Sequence, residues 1–241
     1  MNIFKTAPKF IAGYLETVRF NRTVPEIEKL RAEGKLDEEK ELIRVGQKRW
    51  IDNVSKKLDI TYDIIGAENI PDKSPFMIYS NHQSFADIPA MLKLFTDKYP
   101  VSYVAKNEWR KYKVLYDAIK ASRSIFLIRD NPRDAVRAVN EAKEMLDKGF
   151  ILVIYPEGTR SKGHQMGEFK TASFKFAEKA KVPILPVTLD GGYKLFEEKG
   201  TYQPCHIKIT VHPVVHIEEM DRKQQKQAAL DIEATVRAAL D

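Results

Sequence analysis

A histidine and an aspartate five residues apart open the chemical reading of this chain. Phe76-Met77-Ile78-Tyr79 suits a buried strand and leads directly into Ser80-Asn81-His82-Gln83-Ser84-Phe85-Ala86-Asp87. On one ideal helix, five residues turn through about 500°, so His82 and Asp87 would stand about 140° apart and could not meet. They can meet if His82 ends the strand, a short turn follows and Asp87 opens the next helix. Pro89 favours that arrangement, because proline is accommodated in the first turn of a helix. A carboxylate accepting from one imidazole nitrogen fixes the tautomer, and the other nitrogen becomes a base for a hydroxyl. The bare spacing also allows a plainer outcome, with Asp87 a helix cap and His82 a loop histidine.

A second constellation follows another strand-like run. Phe150-Ile151-Leu152-Val153-Ile154-Tyr155 continues into Pro156-Glu157-Gly158-Thr159-Arg160-Ser161. Gly158 permits close backbone approach, Thr159 offers a hydroxyl, and Arg160 can grip a phosphate with two parallel hydrogen bonds. The Gly-Lys-Ser/Thr ending of a nucleotide phosphate loop is missing. Taken alone, the segment also reads as a polar turn. Lys106 follows the strand candidate Val101–Ala105, and Arg129 follows Ser124–Ile128. Residues 101–130 carry seven Lys/Arg against three Asp/Glu. If the strands are parallel, His82, Lys106, Arg129 and Arg160 share one sheet edge and form a common anion pocket.

Those positions need a scaffold, and the pattern supplies one. Strand candidates are Ile60–Ile65, Phe76–Tyr79, Val101–Ala105, Ser124–Ile128, Phe150–Tyr155, Ile184–Leu189 and His206–His216. Helical runs fall near Ile88–Thr96, Glu108–Lys120, Pro132–Lys148, Phe169–Lys181 and Asp221–Leu240. This alternation predicts an α/β domain over residues 59–241, a largely parallel or mixed sheet flanked by helices, with functional groups at the carboxyl ends of strands. Residues 1–58 read as a separate helical segment, interrupted at Ala32-Glu33-Gly34-Lys35. Its first helix carries an apolar stripe of Phe4, Ala7, Ile11, Tyr14, Leu15 and Val18.

Composition narrows the classes. The net charge is +6, which suits an anionic partner, whether nucleic acid, phosphorylated substrate or acidic lipid. No nucleic-acid motif accompanies it. A single cysteine, Cys205, excludes an intramolecular disulfide and a multi-cysteine metal site. His212 and His216 invite a metal reading, but on one strand they would lie roughly 13 Å apart. We expect no metal and no resident cofactor. No run of roughly 18 apolar residues predicts a transmembrane span. Met1–Phe20 lacks a compact apolar region and carries Lys5, Lys9, Glu16 and Arg19, so no signal peptide is expected and the chain is placed on the cytoplasmic side.

Together these residues resemble the glycerolipid acyltransferase family, in particular the 1-acyl-glycerol-3-phosphate acyltransferases. Asn81, His82 and Asp87 match its first motif. Ile125-Phe126-Leu127-Ile128-Arg129 matches its second, with Ile128 where aspartate is common. Tyr155–Ser161 completes its third, and Val182-Pro183-Ile184-Leu185-Pro186-Val187 matches its fourth. Ala105-Lys106 also fits. The resemblance spans residues 60–190, and four motifs in order are far more specific than any one.

The resemblance implies roles. His82 is the general base, oriented by Asp87. Lys106, Arg129, Thr159 and Arg160 hold the acceptor's phosphate, and Glu157 and Gly158 support the loop. The hydroxyl of lysophosphatidic acid attacks the thioester of acyl-CoA or acyl carrier protein, with no covalent role for Ser84. The lipid acceptor implies contact with an anionic membrane surface, peripheral or monotopic, for which the stripe on the first helix is the expected device. Two other readings remain: a glycerol-3-phosphate acyltransferase, and a non-catalytic lipid-binding protein on the same fold. An intact His82–Asp87 pair argues against the second.

Overall fold

The structure is a computed structural model that describes residues 3–240, with side chains from Thr6 onward. Three helices come first: α1 (Ile3–Asn21), α2 (Val24–Ala32) and α3 (Leu36–Lys57). The alternating part then runs β1 (Ile60–Ile65), β2 (Met77–Ser80), α4 (Asp87–Phe95), β3 (Val101–Lys106), α5 (Lys113–Ala121), β4 (Ile125–Leu127) and α6 (Pro132–Asp147). It closes with β5 (Ile151–Ile154), α7 (Lys175–Ala180), β6 (Ile184–Asp190), β7 (Cys205–Val211) and α8 (Arg222–Ala238).

All seven predicted strands join one sheet in the order β1-β7-β6-β2-β5-β3-β4. The run from β6 through β2, β5 and β3 to β4 is parallel. β7 runs antiparallel to β6, and β1 parallel to β7. The sheet is therefore mixed, and the carboxyl ends of β2, β3, β4, β5 and β6 share one edge. The near-continuous apolar runs of β2 and β5 have a physical reason: both faces are covered. Tyr79, Leu152 and Ile154 enter a core with Ala138 and Ala142 of α6 and Ile232 and Val236 of α8. The alternate residues Ile78, Ile151 and Val153 meet Ala90 and Met91 of α4 and Ile51 and Val54 of α3.

Local signals set several boundaries. Asn131 caps α6 by accepting the N–H groups of Arg133 and Asp134, and a reciprocal Asp221–Gln224 box opens α8. β4 and β5 each lose a residue at both ends of their predicted runs, and β7 falls furthest short of its pattern. β7 stops at Val211, and Pro213 follows where a ladder donor would be needed. His212 and His216 thus lie beyond the strand. His212 Nε2 pairs with Thr188 Oγ1 at 2.8 Å and His216 Nδ1 with Glu218 at 2.9 Å.

The orientation of α1 differs from an ordinary amphipathic helix. Its polar residues Glu16 and Thr17 are buried, together with Phe20. Glu16 pairs with Arg19, Lys57 and Asn53, and Thr17 accepts the Trp50 indole N–H at 3.1 Å. Ile11, Tyr14 and Leu15 are 56%, 50% and 50% exposed. The apolar stripe thus faces outward, while its first member, Phe4, lies outside the described side chains. Among the described residues, no helix is long and apolar enough to cross a membrane.

Candidate active site

The β2 strand delivers His82 to the carboxyl edge, and Asn81 pins it there. Asn81 is fully buried; its amide donates to Leu189 O at 2.7 Å and accepts Leu189 N–H at 2.8 Å, which ties the end of β2 to β6. The chain turns after His82 and enters α4 at Asp87. His82 Nδ1 lies 2.6 Å from Asp87 Oδ2, the same oxygen that accepts Ser84 N–H at 2.9 Å. The cap position of α4 belongs to Ala86, which makes no side-chain capping bond. The geometry therefore selects the pair over the plain cap reading. Asp87 is 0% exposed, so its charge acts in a poorly screened setting. The His82 ring stacks on Tyr155, with centroids 4.1 Å apart and planes 12° from parallel. With Nδ1 committed to Asp87, Nε2 makes no hydrogen bond among the described residues.

The β5 strand delivers the second loop. Gly158 adopts φ +71° and donates to Tyr155 O at 2.9 Å, a tight turn suited to glycine. Glu157 is buried and bridges two loops: Oε1 accepts His82 N–H at 2.6 Å and Oε2 accepts Gly167 N–H at 2.7 Å. Burial pushes its carboxyl above the usual range, and the two N–H bonds act against that rise. Ser161 N–H donates to His82 O and Lys162 N–H to Gln83 O, so the two predicted motifs are directly stitched together.

The predicted cations converge only in part. Burial draws Lys106 below its ordinary range, and the charges of Arg129, Arg160 and Lys162 push the same way, which places these cations in one field. Burial likewise draws Arg129 down. Arg160 is engaged within the protein: Nη1 lies 2.7 Å from Glu197 Oε1, and the guanidinium sits 3.7 Å from the centroid of the Phe85 ring. Thr159 is exposed on the loop. Ser84 is buried, and its hydroxyl accepts Ala86 N–H at 2.7 Å, a structural role inside the turn. Ile128 is exposed, and its N–H donates to Asp134 Oδ2 at 2.6 Å.

Sequence reasoning missed Glu197, Gly192 and the stacking role of Tyr155. Glu197 lies in a charged run, Glu197-Glu198-Lys199, that reads as solvent-facing. Gly192 reads as part of a turn, yet it lies against the catalytic-type pair: a Cβ there would stand 3.0 Å from Asp87 Oδ1. Among the described residues the one cluster with metal-ligand spacing is His216, Glu218 and Glu219. It follows β7 and lies at the opposite sheet edge, where Val215 pairs with Ile184.

An imidazole oriented by a buried carboxylate, beside a cationic shelf at the open edge of a mixed α/β sheet, defines a protein able to activate a hydroxyl near an anionic group. Comparison with known proteins specifies the class. The acyltransferase family model matches residues 62–190, and the chain belongs to that family. A chloroplastic 1-acyl-sn-glycerol-3-phosphate acyltransferase from Brassica napus is 32% identical over 162 residues, covering 66% of this chain and 46% of that protein. One from Pseudomonas aeruginosa is 31% identical over 160 residues, covering 66% of this chain and 61% of that protein. The match thus spans about half the length of such relatives. The crystal structure of the 1-acyl-sn-glycerophosphate (LPA) acyltransferase PlsC from Thermotoga maritima aligns at a TM-score of 0.73 and 25% identity, covering 96% of each chain.

Proposed function

We propose that this chain is a 1-acyl-sn-glycerol-3-phosphate acyltransferase working at a membrane surface. It would move a fatty acyl group from acyl-CoA or acyl carrier protein to the sn-2 hydroxyl of lysophosphatidic acid, giving phosphatidic acid for phospholipid synthesis. The observation that carries the reading is the 2.6 Å contact between His82 Nδ1 and buried Asp87, which commits one ring nitrogen and leaves the other for the hydroxyl. His82 Nε2 takes the hydroxyl proton as the oxygen attacks the thioester carbonyl. The tetrahedral intermediate expels the thiolate, which takes the proton back from the imidazolium. Asp87 stabilises that imidazolium throughout. Lys106, Arg129 and Arg160 hold the phosphate and so set the hydroxyl's angle of attack.

The outward apolar face of α1 supports the membrane setting. Ile11, Tyr14 and Leu15 face outward, while Lys9 pairs with Asp59 and Arg19 and Lys57 pair with the buried Glu16. The reading sets the chain at the cytoplasmic face, peripheral or monotopic. The test is product analysis after mixing purified chain with an acyl-CoA series and either liposomal lysophosphatidic acid or glycerol 3-phosphate. Phosphatidic acid as the main product supports the reading. Acylation of glycerol 3-phosphate alone, or no thiol release with either acceptor, contradicts it.

A further inference from the structure

Glu197 stands between β6 and β7, far in sequence from every predicted site residue. Its side chain is 4% exposed. One oxygen does all of its visible bonding: Oε1 accepts Arg160 Nη1 at 2.7 Å and Phe85 N–H at 3.1 Å. The other, Oε2, is buried without a partner among the described residues. Phe85 in turn supplies the ring on which the Arg160 guanidinium lies. The guanidinium is thus clamped at one edge by a carboxylate and from one face by an aromatic ring. Its Nε and Nη2 make no hydrogen bond among the described residues, so donors remain for a phosphate.

The charge on Glu197 needs a reason. An uncharged glutamine would satisfy the Phe85 N–H equally well and would avoid the cost of desolvating a carboxylate, a cost visible in the upward push that burial gives this carboxyl. The cation it faces explains the choice. Arg160 lies close enough to Lys106 for the two charges to repel, and without a counter-charge that repulsion would favour swinging the long arginine side chain into solvent. Phe85 also sits in the loop between His82 and Asp87. The carboxylate therefore ties the phosphate-side arginine to the loop that carries the base.

We propose that Glu197 is a positioning residue: through its contact with Arg160 and Phe85 it pre-aligns the guanidinium for the phosphate of the acyl acceptor. The proposal rests on the reading of Arg160 as a phosphate ligand. The test measures acceptor and donor kinetics separately for Glu197→Gln, Arg160→Ala and the double variant, each checked by thermal melting. Glu197→Gln should raise the KM for lysophosphatidic acid about tenfold, the scale of a lost charge-assisted contact, while the KM for acyl-CoA stays within twofold. In the Arg160→Ala background the same substitution should change the acceptor KM less than twofold. Phe85→Leu, which keeps the backbone N–H and removes the ring, should raise acceptor KM in the same Arg160-dependent way, and it carries the test if Glu197→Gln does not fold. An unchanged acceptor KM in folded Glu197→Gln, or an equal penalty with and without Arg160, overturns the proposal while leaving Arg160 as a ligand. Arg160→Ala with an unchanged KM for lysophosphatidic acid overturns the underlying reading of Arg160, and the proposal with it.

Discussion

Gly192 lies against Asp87 so closely that a methyl group on it would stand 3.0 Å from Asp87 Oδ1 and 3.1 Å from Ser84 Oγ. The turn that follows β6, itself tied to β2 through Asn81, thus backs the carboxylate that orients His82. The pair is held from behind by main chain, and Asp87 has little room to rotate away.

Gly192→Ala should therefore damage chemistry more than substrate binding. The added carbon must shift Asp87 by a few tenths of an ångström, and a small misplacement of a catalytic group is expensive in rate. We expect kcat to fall about tenfold or more, with acceptor and donor KM within twofold and a stability loss of about 1–3 kcal/mol, the usual scale of overpacking. Steady-state kinetics on the folded variant check this; an unchanged kcat would remove Gly192 from the support of the pair.

The cationic shelf should trade stability for binding. Lys106 is drawn below its ordinary range, first by burial and then by Arg129. A lysine whose folded value is depressed destabilises the fold below both its folded and unfolded values, because the unfolded chain binds the proton more readily. Lys106→Met should therefore raise the melting temperature at neutral pH by about 1–3 °C, and the gain should shrink as pH rises toward the unfolded value of lysine. The same variant should bind lysophosphatidic acid more weakly. A melting temperature that falls at neutral pH would contradict this account.

The exposed stripe of α1 gives a third expectation. Ile11 and Leu15 are 56% and 50% exposed and belong to neither buried apolar cluster. Ile11→Asp with Leu15→Asp should leave melting nearly unchanged and lower binding to anionic liposomes about tenfold or more, the scale of withholding two aliphatic side chains from an apolar medium. Thioester cleavage with a soluble acceptor should change little. Co-sedimentation reads the effect, and unchanged liposome binding would return the stripe to a role in packing.

How much of this was legible in the sequence differs residue by residue. β1 was readable to its end residues, Ile60–Ile65, because a β-branched run is bounded by Gly66. The helical run predicted over Glu108–Lys120 instead splits into a 3₁₀ turn at Asn107–Lys111 and then α5, and that over Phe169–Lys181 splits similarly at Thr171–Phe174. Periodicity does not distinguish such tight turns from helix over one or two turns. For α1, amphipathicity was visible but the choice of packed face was not. That choice depends on Lys57, Asn53 and Trp50, which reach Glu16 and Thr17 from α3 across more than thirty residues of chain.

The candidate site divides along the same line. His82, Asp87 and the loop from Glu157 to Arg160 were readable because each group follows its strand within a few residues. Glu197 was not. Its burial arises when the connection between β6 and β7 crosses Phe85, 112 residues earlier in the chain. Nothing in the local run of charges distinguishes a carboxylate buried by such a distant contact from a solvated one.

The proposed reaction turns on His82, held by Asp87, as the base for acyl transfer to lysophosphatidic acid. The most direct measurement is the initial rate of phosphatidic acid formation by purified His82→Ala, with liposomal lysophosphatidic acid and acyl-CoA, beside a melting curve of the same preparation. The rate should fall by about 10²–10⁴, the range for loss of a general base, in a protein that melts as the unaltered chain does. A folded His82→Ala variant that makes phosphatidic acid at near-normal rate would contradict that role for His82.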